Sequence, residues 1–431
     1  MKKLLRNLMI LGVSALATAA VLGQANSAAH ENWVSTWSTS QDMAPSVMER
    51  PVLPPGMKLP DFSKMPKRPS PNIPTNVENQ TLRMIVHTSI GGRKVRIELA
   101  NAFGRDVVSI GSAHVAVRTT GSSIESRTDH PVTFGGAASI DLRPGVILVS
   151  DPIDLDVAPT SDLAVSLFVV KAPGTPTNHT LGLHTSYIAS GDKTSAATLT
   201  DATMTTAYMW LRSIDVAAPP SDFAIVCFGD SITDGFTTTV DKDQAWPTLL
   251  ANRLHADKGA PAISVLNEGI SGNQVLRDGA GVSGLARFDR DVLTHPGVRW
   301  VILLEGINDI NIHGQIVGPG AMSPEDLIAG YRQLIARAHM QRVRIAGATL
   351  TPDAGIWLAG PVGEATRQKV NEWIKTSGEF DAVIDFDAAT RNPANPTHLK
   401  AEYDSGDHIH PNDIGNAAMA NAIPLDYFLS K

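Results

Sequence analysis

The chain has 431 residues, 43% of them hydrophobic and 18% charged, with a formal net charge of −7. This balance excludes a disordered chain, and at roughly 150 residues per domain the length predicts two or three domains. The charge, about −10 once the basic residues at the amino end are set aside, excludes nucleic acid and anionic membrane as partners, since both select for basic surface.

The first residues combine Lys2, Lys3 and Arg6, an apolar stretch from Leu8 to Gly23, and the small residues Ala25, Ser27, Ala28 and Ala29. That is the pattern of a secretory leader, residues 1–28, cleaved near Ala28. The stretch is too short and too diluted with small residues for a bilayer core that needs about 20 apolar residues. Cys227 is the sole cysteine, so no internal disulfide forms and no lipid-bearing cysteine follows the leader. The expectation is a secreted or periplasmic protein without stable membrane insertion after cleavage.

Residues 29–80 hold Trp33-Val-Ser-Thr-Trp37 and then nine prolines between Pro45 and Pro74. Proline fixes φ and lacks the ladder donor, so this stretch reads as an extended surface loop. From 81 to 216 short apolar and β-branched runs (Leu82 to Ser89, Val95 to Leu99, Val107 to Val117, Ile140 to Val149, Leu163 to Val170, Ala207 to Ile214) alternate with turn residues, which predicts an all-β sandwich domain. Ala217-Ala-Pro-Pro-Ser-Asp222 reads as a linker. After it, apolar runs at Phe223 to Phe228, Ala262 to Leu266, Trp300 to Leu304, Val343 to Leu350 and Ala382 to Phe386 suit buried parallel strands. Helical patterns lie between them, at Gln244 to Asp257, around Leu285 to Leu293, at Pro324 to Met340 and at Gly363 to Ser377, with a last one from Pro411 to Leu429 broken near Pro424. The alternation predicts an α/β domain over 223–431, a flavodoxin-like doubly wound sheet of about five parallel strands.

Ser231, in Phe223-Ala-Ile-Val-Cys-Phe-Gly-Asp-Ser-Ile-Thr-Asp-Gly235, falls just past the carboxyl end of the first α/β strand, where open sheets place their ligands. Alone, Gly-Asp-Ser is only a strand-ending turn. It gains weight from Asn267-Glu-Gly-Ile-Ser-Gly272, Gly306-Ile-Asn308-Asp309 and Asp407-His-Ile-His410-Pro411, each in a loop that the sheet brings to the same edge. A serine hydroxyl needs a base, and an imidazole is suited to that task near neutral pH. Asp407, three residues before His410, can curl back onto the other ring nitrogen.

In these four blocks, in order, the stretch from about Ser221 to Lys431 resembles the SGNH, or GDSL, hydrolase superfamily. The resemblance implies the SGNH hydrolase fold with Ser231 as nucleophile and Asp407 and His410 completing the triad. It also implies an oxyanion hole of Gly272, Asn308 and the Ser231 backbone N–H. No metal or other cofactor is expected: His408 and His410 form a His-x-His without a His-Glu-x-x-His or cysteine cluster, and His408 reads as a local support. Cys227 reads as a core residue and Trp246 and Trp357 as packing rather than pocket lining. The Gly-x-Ser-x-Gly elbow of α/β-hydrolases is absent.

The amino-terminal half, through Trp33 to Trp37, Thr81-Leu-Arg, Gly91-Gly92 and Asn101-Ala-Phe-Gly104, resembles the leading region of secreted two-domain GDSL esterases. That resemblance implies a β-sandwich without assigned catalytic residues. The functional expectation is a secreted serine esterase acting on acetylated carbohydrate or on a lipid or aryl ester. An acyltransferase with the same triad and a non-catalytic polysaccharide-binding protein are the alternatives. The segment from about Ser221 is expected to fold and hydrolyse small esters by itself.

Overall fold

Alternation shapes the first half of the fold. In the strand Ile153–Val157, Ile153, Leu155 and Val157 are buried while Asp154 and Asp156 face water, the period of two expected of a strand with one solvated face. The computed structural model describes residues 31–42, 74, 76–256, 261–313, 322–356 and 358–429. The leader, nearly all of the proline-rich stretch and Trp357 lie outside the described residues.

Among the described residues, two large antiparallel sheets and a two-stranded one, Asn178–His179 with Tyr208–Met209, make up the β-rich region. One runs in the order Trp33–Ser38, Leu211–Ala217, Gly92–Ala100, Ile147–Val149, with Ile153–Val157 also on Gly92–Ala100. The other runs Thr203–Thr205, Ser186–Ser190, Gln80–His87, Asp162–Lys171, Val108–Val117, His130–Pro131, with Ile140–Leu142 on Val108–Val117. Trp33 to Trp37 is thus a strand in its own right, paired with the last strand of the region. The single run expected from Ile140 to Val149 is instead two strands in different sheets. Between them Pro144 ends the ladder and Gly145 turns the chain at φ +76°.

Residues 218–222 connect Leu211–Ala217 to the first strand of a five-stranded parallel sheet. Its strands, in chain order, are Phe223–Gly229, Ile263–Gly269, Val298–Leu304, Arg344–Ala348 and Ala382–Ile384. The first is buried at every position, as a strand covered on both faces must be. Numbered in chain order, the strands lie 2-1-3-4-5 across the sheet. The chain therefore departs in opposite directions from the first strand, opening a crevice at the carboxyl ends of strands one, two and three.

Three of the expected helices appear as Trp246–Ala256, Pro324–Met340 and Pro361–Thr376. The stretch expected as one helix around Leu285 to Leu293 is an α-turn, Gly284–Phe288, followed by a π-turn, Asp289–Leu293. The last pattern breaks at Pro424 as read, into Asp413–Ala422 and Asp426–Leu429. A hairpin, Arg391–Asn392 with Asn395–Leu399, has no counterpart among the expected elements. Among the described residues no helix is long and apolar enough to cross a membrane.

The apolar core continues from Val34 and Ile97 in the β-rich region into Phe223 and Val265, and Trp33–Lys431 makes one compact unit. Polar contacts cross the same boundary: Ser35 N–H donates to the Pro296 carbonyl at 3.0 Å and Val265 N–H to Ser89 Oγ at 2.9 Å.

Candidate active site

Past Gly229 the chain turns sharply into a four-residue helix, Ser231–Asp234. Asp230 caps it, Oδ1 accepting the Ile232 N–H at 3.0 Å, and Gly235 closes it at φ +96°. Ser231 thereby sits at the helix start, 5% exposed, at the floor of the crevice. The second strand comes so near this turn that a Cβ on Gly269 would lie 2.2 Å from the Asp234 nitrogen.

Ser231 Oγ lies 2.7 Å from His410 Nε2, and His410 Nδ1 lies 2.8 Å from Asp407 Oδ2. The other Asp407 oxygen, Oδ1, accepts the His410 N–H at 2.9 Å and the Ile409 N–H at 3.3 Å. Burial pushes this carboxyl up, but the His410 ring and these two backbone donors outweigh it and hold Asp407 well below the usual carboxylate range. An ionised Asp407 can only accept, so Nδ1 carries the ring proton and Nε2 presents its lone pair to Ser231. The Phe236 ring meets His410 edge-on with centroids 4.5 Å apart, and Thr237 Oγ1 donates to the Pro411 carbonyl at 3.1 Å.

Gly272 lies in the turn after the second strand, at φ +82°, a conformation that costs most side chains energy and that glycine adopts freely. Asn308 is the second residue of the helix Ile307–His313 after the third strand, and its Nδ2 donates one hydrogen to the Asn273 carbonyl at 2.9 Å. The amide orientation is thereby set and its second N–H left to aim elsewhere. Asp309 fixes the same loop from below, accepting the N–H groups of Val275 and Leu276 at 2.8 and 3.0 Å.

A model of the GDSL-like lipase/acylhydrolase family matches residues 227–418, which include all of these groups. This segment is a GDSL-like lipase/acylhydrolase domain. It has the chemistry of a carboxylic ester hydrolase. Among solved structures, the domain is similar to an aryl esterase of M. smegmatis (20% identity, 46% of this chain, 95% of that one, TM-score 0.37). It is also similar to an acetyl xylan esterase from Geobacillus stearothermophilus (23%, 48%, 94%, 0.38) and to a GDSL-like lipase from Bacteroides thetaiotaomicron VPI-5482 (17%, 48%, 87%, 0.35). No curated protein matches the chain.

Beneath the crevice the GDSL-like domain holds a polar layer that the motifs did not announce. Arg287, wholly buried, donates to Asn273 Oδ1 at 2.7 Å, Ser40 Oγ at 2.9 Å and the carbonyls of Glu268 and Gly229 at 2.8 Å each. One side chain thus ties the ends of strands one and two to the loop that orients Asn308. Its guanidinium carbon also lies 3.9 Å from the centre of the Phe228 ring. Glu268 is 1% exposed, accepts from Ser38 and, at 2.5 Å, from Ser40, and lies 2.9 Å from His295 Nε2. Burial, with Asp309 and Asp234 nearby, pushes Asp230 up to about 7, and burial with Asp230 and Asp309 nearby pushes Glu305 up to about 8.

The remaining expected residues are placed as follows. His408 is half exposed at φ +70°, its Nδ1 2.7 Å from Asp404 Oδ2. Trp246 is wholly buried, edge-on to Phe386, and Cys227 is buried in the first parallel strand. Among the described residues no group of three or more His, Cys, Asp or Glu is arranged to hold a metal ion.

Proposed function

We propose that the protein is an exported serine esterase that cleaves carboxylic esters through an acyl-serine intermediate. The observation that carries this reading is the unbroken hydrogen-bonded path from Ser231 Oγ through His410 to Asp407. Ser231 Oγ attacks the ester carbonyl carbon as its proton passes to His410 Nε2. The tetrahedral intermediate collapses, the C–O bond to the alcohol breaks, and His410 returns the proton to the departing alcohol. Water then repeats the sequence on the acyl-serine, releasing the acid and restoring Ser231. The Ser231 and Gly272 N–H groups and Asn308 Nδ2 receive the oxyanion, a role supported by their loops converging at the crevice.

Export rests on the leader pattern of residues 1–28, and the doubly wound reading of the sheet on its strand order. The substrates are acetylated carbohydrates or lipid and aryl esters. An alcohol acceptor that outcompetes water would turn the same intermediate to acyl transfer. The test is turnover of aryl esters of increasing acyl length, run beside an acetylated polysaccharide, on wild-type protein and on Ser231→Ala. Turnover confined to the wild type is expected, and undiminished turnover by a verified Ser231→Ala protein would refute the reading.

A further inference from the structure

Asp234, the last residue of the nucleophile's helix, is 3% exposed. Its Oδ2 accepts both the N–H and the hydroxyl of Ser271, at 2.9 and 2.7 Å, and Ser271 precedes Gly272 in the turn assigned to the oxyanion. Its Oδ1 lies 3.1 Å from His179 Nε2. His179 belongs to the β-rich region: it ends the two-residue strand Asn178–His179, pairs with Tyr208–Met209, and is 4% exposed.

Both nitrogens of the His179 ring face acceptors. Nδ1 lies 2.8 Å from the Ser40 carbonyl oxygen, and Nε2 lies 3.1 Å from the Leu181 carbonyl oxygen as well as from Asp234. A carbonyl oxygen only accepts, so each nitrogen carries a proton and the ring is an imidazolium. Asp42, 3.6 Å from Nδ1, is a second carboxylate beside it, itself held by the Thr180 N–H at 2.7 Å. Burial opposes the charge, yet Asp234 and Asp42 outweigh it and push His179 up to about 10.

The β-rich region grips the loop after the nucleophile as well. Thr185 donates its N–H and hydroxyl to Asp241 at 2.7 and 2.6 Å, the Asp241 N–H donates to the Leu183 carbonyl at 2.8 Å, and His184 Nε2 lies 2.9 Å from Asp243. That loop contains Thr237, which is held at φ +85° against the His410–Pro411 segment. For a β-branched residue this is an outlier that only surrounding contacts maintain.

We propose that His179 is a positioning residue for the ester chemistry: through Asp234 it fixes the Ser271–Gly272 turn, so the β-rich region completes the active site. The inference rests on the serine-esterase reading above. Without the imidazolium, Oδ1 of the buried Asp234 loses its charged donor, and the carboxylate is no longer held in one orientation. A carboxylate that rotates to find another donor takes Oδ2 away from the Ser271 N–H and hydroxyl, and the turn loses the group that holds it.

The experiment compares full-length wild type, His179→Gln, Asp234→Asn, the double variant and Ser271→Ala. For each, folding is followed by near-ultraviolet circular dichroism, and kcat and KM are measured on an aryl ester. Affinity is measured for a boronic acid that mimics the tetrahedral state. His179→Gln should lose about 10- to 100-fold in kcat with KM within about threefold, and boronate affinity should fall in parallel, because only the transition state uses the turn. The double variant should lose no more than about threefold beyond His179→Gln, since both changes act along one path. Ser271→Ala, which removes only a hydroxyl, should lose about 3- to 10-fold, and it decides the matter if His179→Gln does not fold. A folded His179→Gln with kcat within about twofold of wild type, or losses that multiply in the double variant, would overturn the proposal. So would a fully active Ser271→Ala beside an unfolded His179→Gln. In each of these cases fluorophosphonate labelling of wild-type Ser231 leaves the esterase reading standing. A wild type that neither turns over esters nor labels at Ser231 sinks both.

Discussion

Replacing Arg287 by methionine tests whether the layer beneath the crevice holds the site together. Three carbonyl oxygens lose a donor at 2.7–2.8 Å: Asn273 Oδ1, the Glu268 carbonyl, which Ser40 Oγ also reaches at 3.4 Å, and the Gly229 carbonyl, which keeps the Ile270 N–H at 3.0 Å. Asn273 Oδ1, left unpaired, costs about 1–3 kcal/mol, and each of the other two lost bonds about 0.5–1.5 kcal/mol. Ser40 loses less, since its hydroxyl also donates to Glu268. The methionine recovers about 1–2 kcal/mol of contact against Phe228. The net loss is about 1–4 kcal/mol, a sizeable share of the 5–15 kcal/mol typical of a folded protein. With an unfolding entropy of about 2.1 cal/mol/K per residue over roughly 400 residues, Tm should fall by about 1–5 °C. The assay is thermal unfolding followed by circular dichroism, with kcat measured well below the transition. Arg287→Lys, which keeps the charge and some of the donors, should fall in between. A methionine variant with Tm within about 1 °C of wild type and unchanged kcat would show that these bonds neither hold the fold nor orient Asn308.

Ser231→Ala should leave the fold intact and abolish labelling by a fluorophosphonate probe, whereas His410→Ala should keep the fold and lose turnover about as fully, which active-site titration and ester kinetics would check. Asn308→Ala should still label but lose about 10²-fold or more in kcat through weaker oxyanion stabilisation. Thermal stability should decline from mildly acidic to alkaline pH. Asp230 near 7 and Glu305 near 8 bind protons in the folded state that the unfolded chain has shed above about pH 4, so their contribution is present below that and is lost as pH rises through 7 and 8. His179, near 10, adds a contribution lost as pH rises through that value, and Glu305→Gln should flatten part of the slope; a Tm constant from pH 5 to 9 would contradict this. Metal chelation should leave turnover unchanged, and its loss to a chelator, restored by metal, would refute the metal-free reading.

The grouping of Ser231, Asp407 and His410 could be read because four short blocks, each weak alone, stand in one order along the chain and fall in loops that the sheet brings to the same edge. The strands of the parallel sheet were equally plain, since a strand buried on both faces is an uninterrupted apolar run. Arg287 and His179 were not legible: their partners lie far along the chain, from Ser40 to Asp234, and nothing local distinguishes a buried arginine or histidine from a solvated one. A signal did exist at Glu268, a carboxylate at the end of an apolar strand, and at Asp234, inside the nucleophile block itself. The two strands within Ile140 to Val149 were merged because apolar content outweighed the Pro144-Gly145 turn, which is the stronger punctuation.

The strand Trp33–Ser38 has a bearing on how the molecule comes into being. It pairs with Leu211–Ala217, and its last residue Ser38 and Ser40 just beyond it reach on to Glu268 and Arg287, so this strand waits for partners about half a chain later. Such distant pairing slows folding, because the entropy of closing the intervening loop is lost before any contact compensates. An amino-terminal fragment leaving a ribosome or a translocation channel cannot bury this strand, and the catalytic crevice gains its back wall only near the end of the process. Activity should therefore be among the last properties to return on refolding, lagging behind the recovery of strand content.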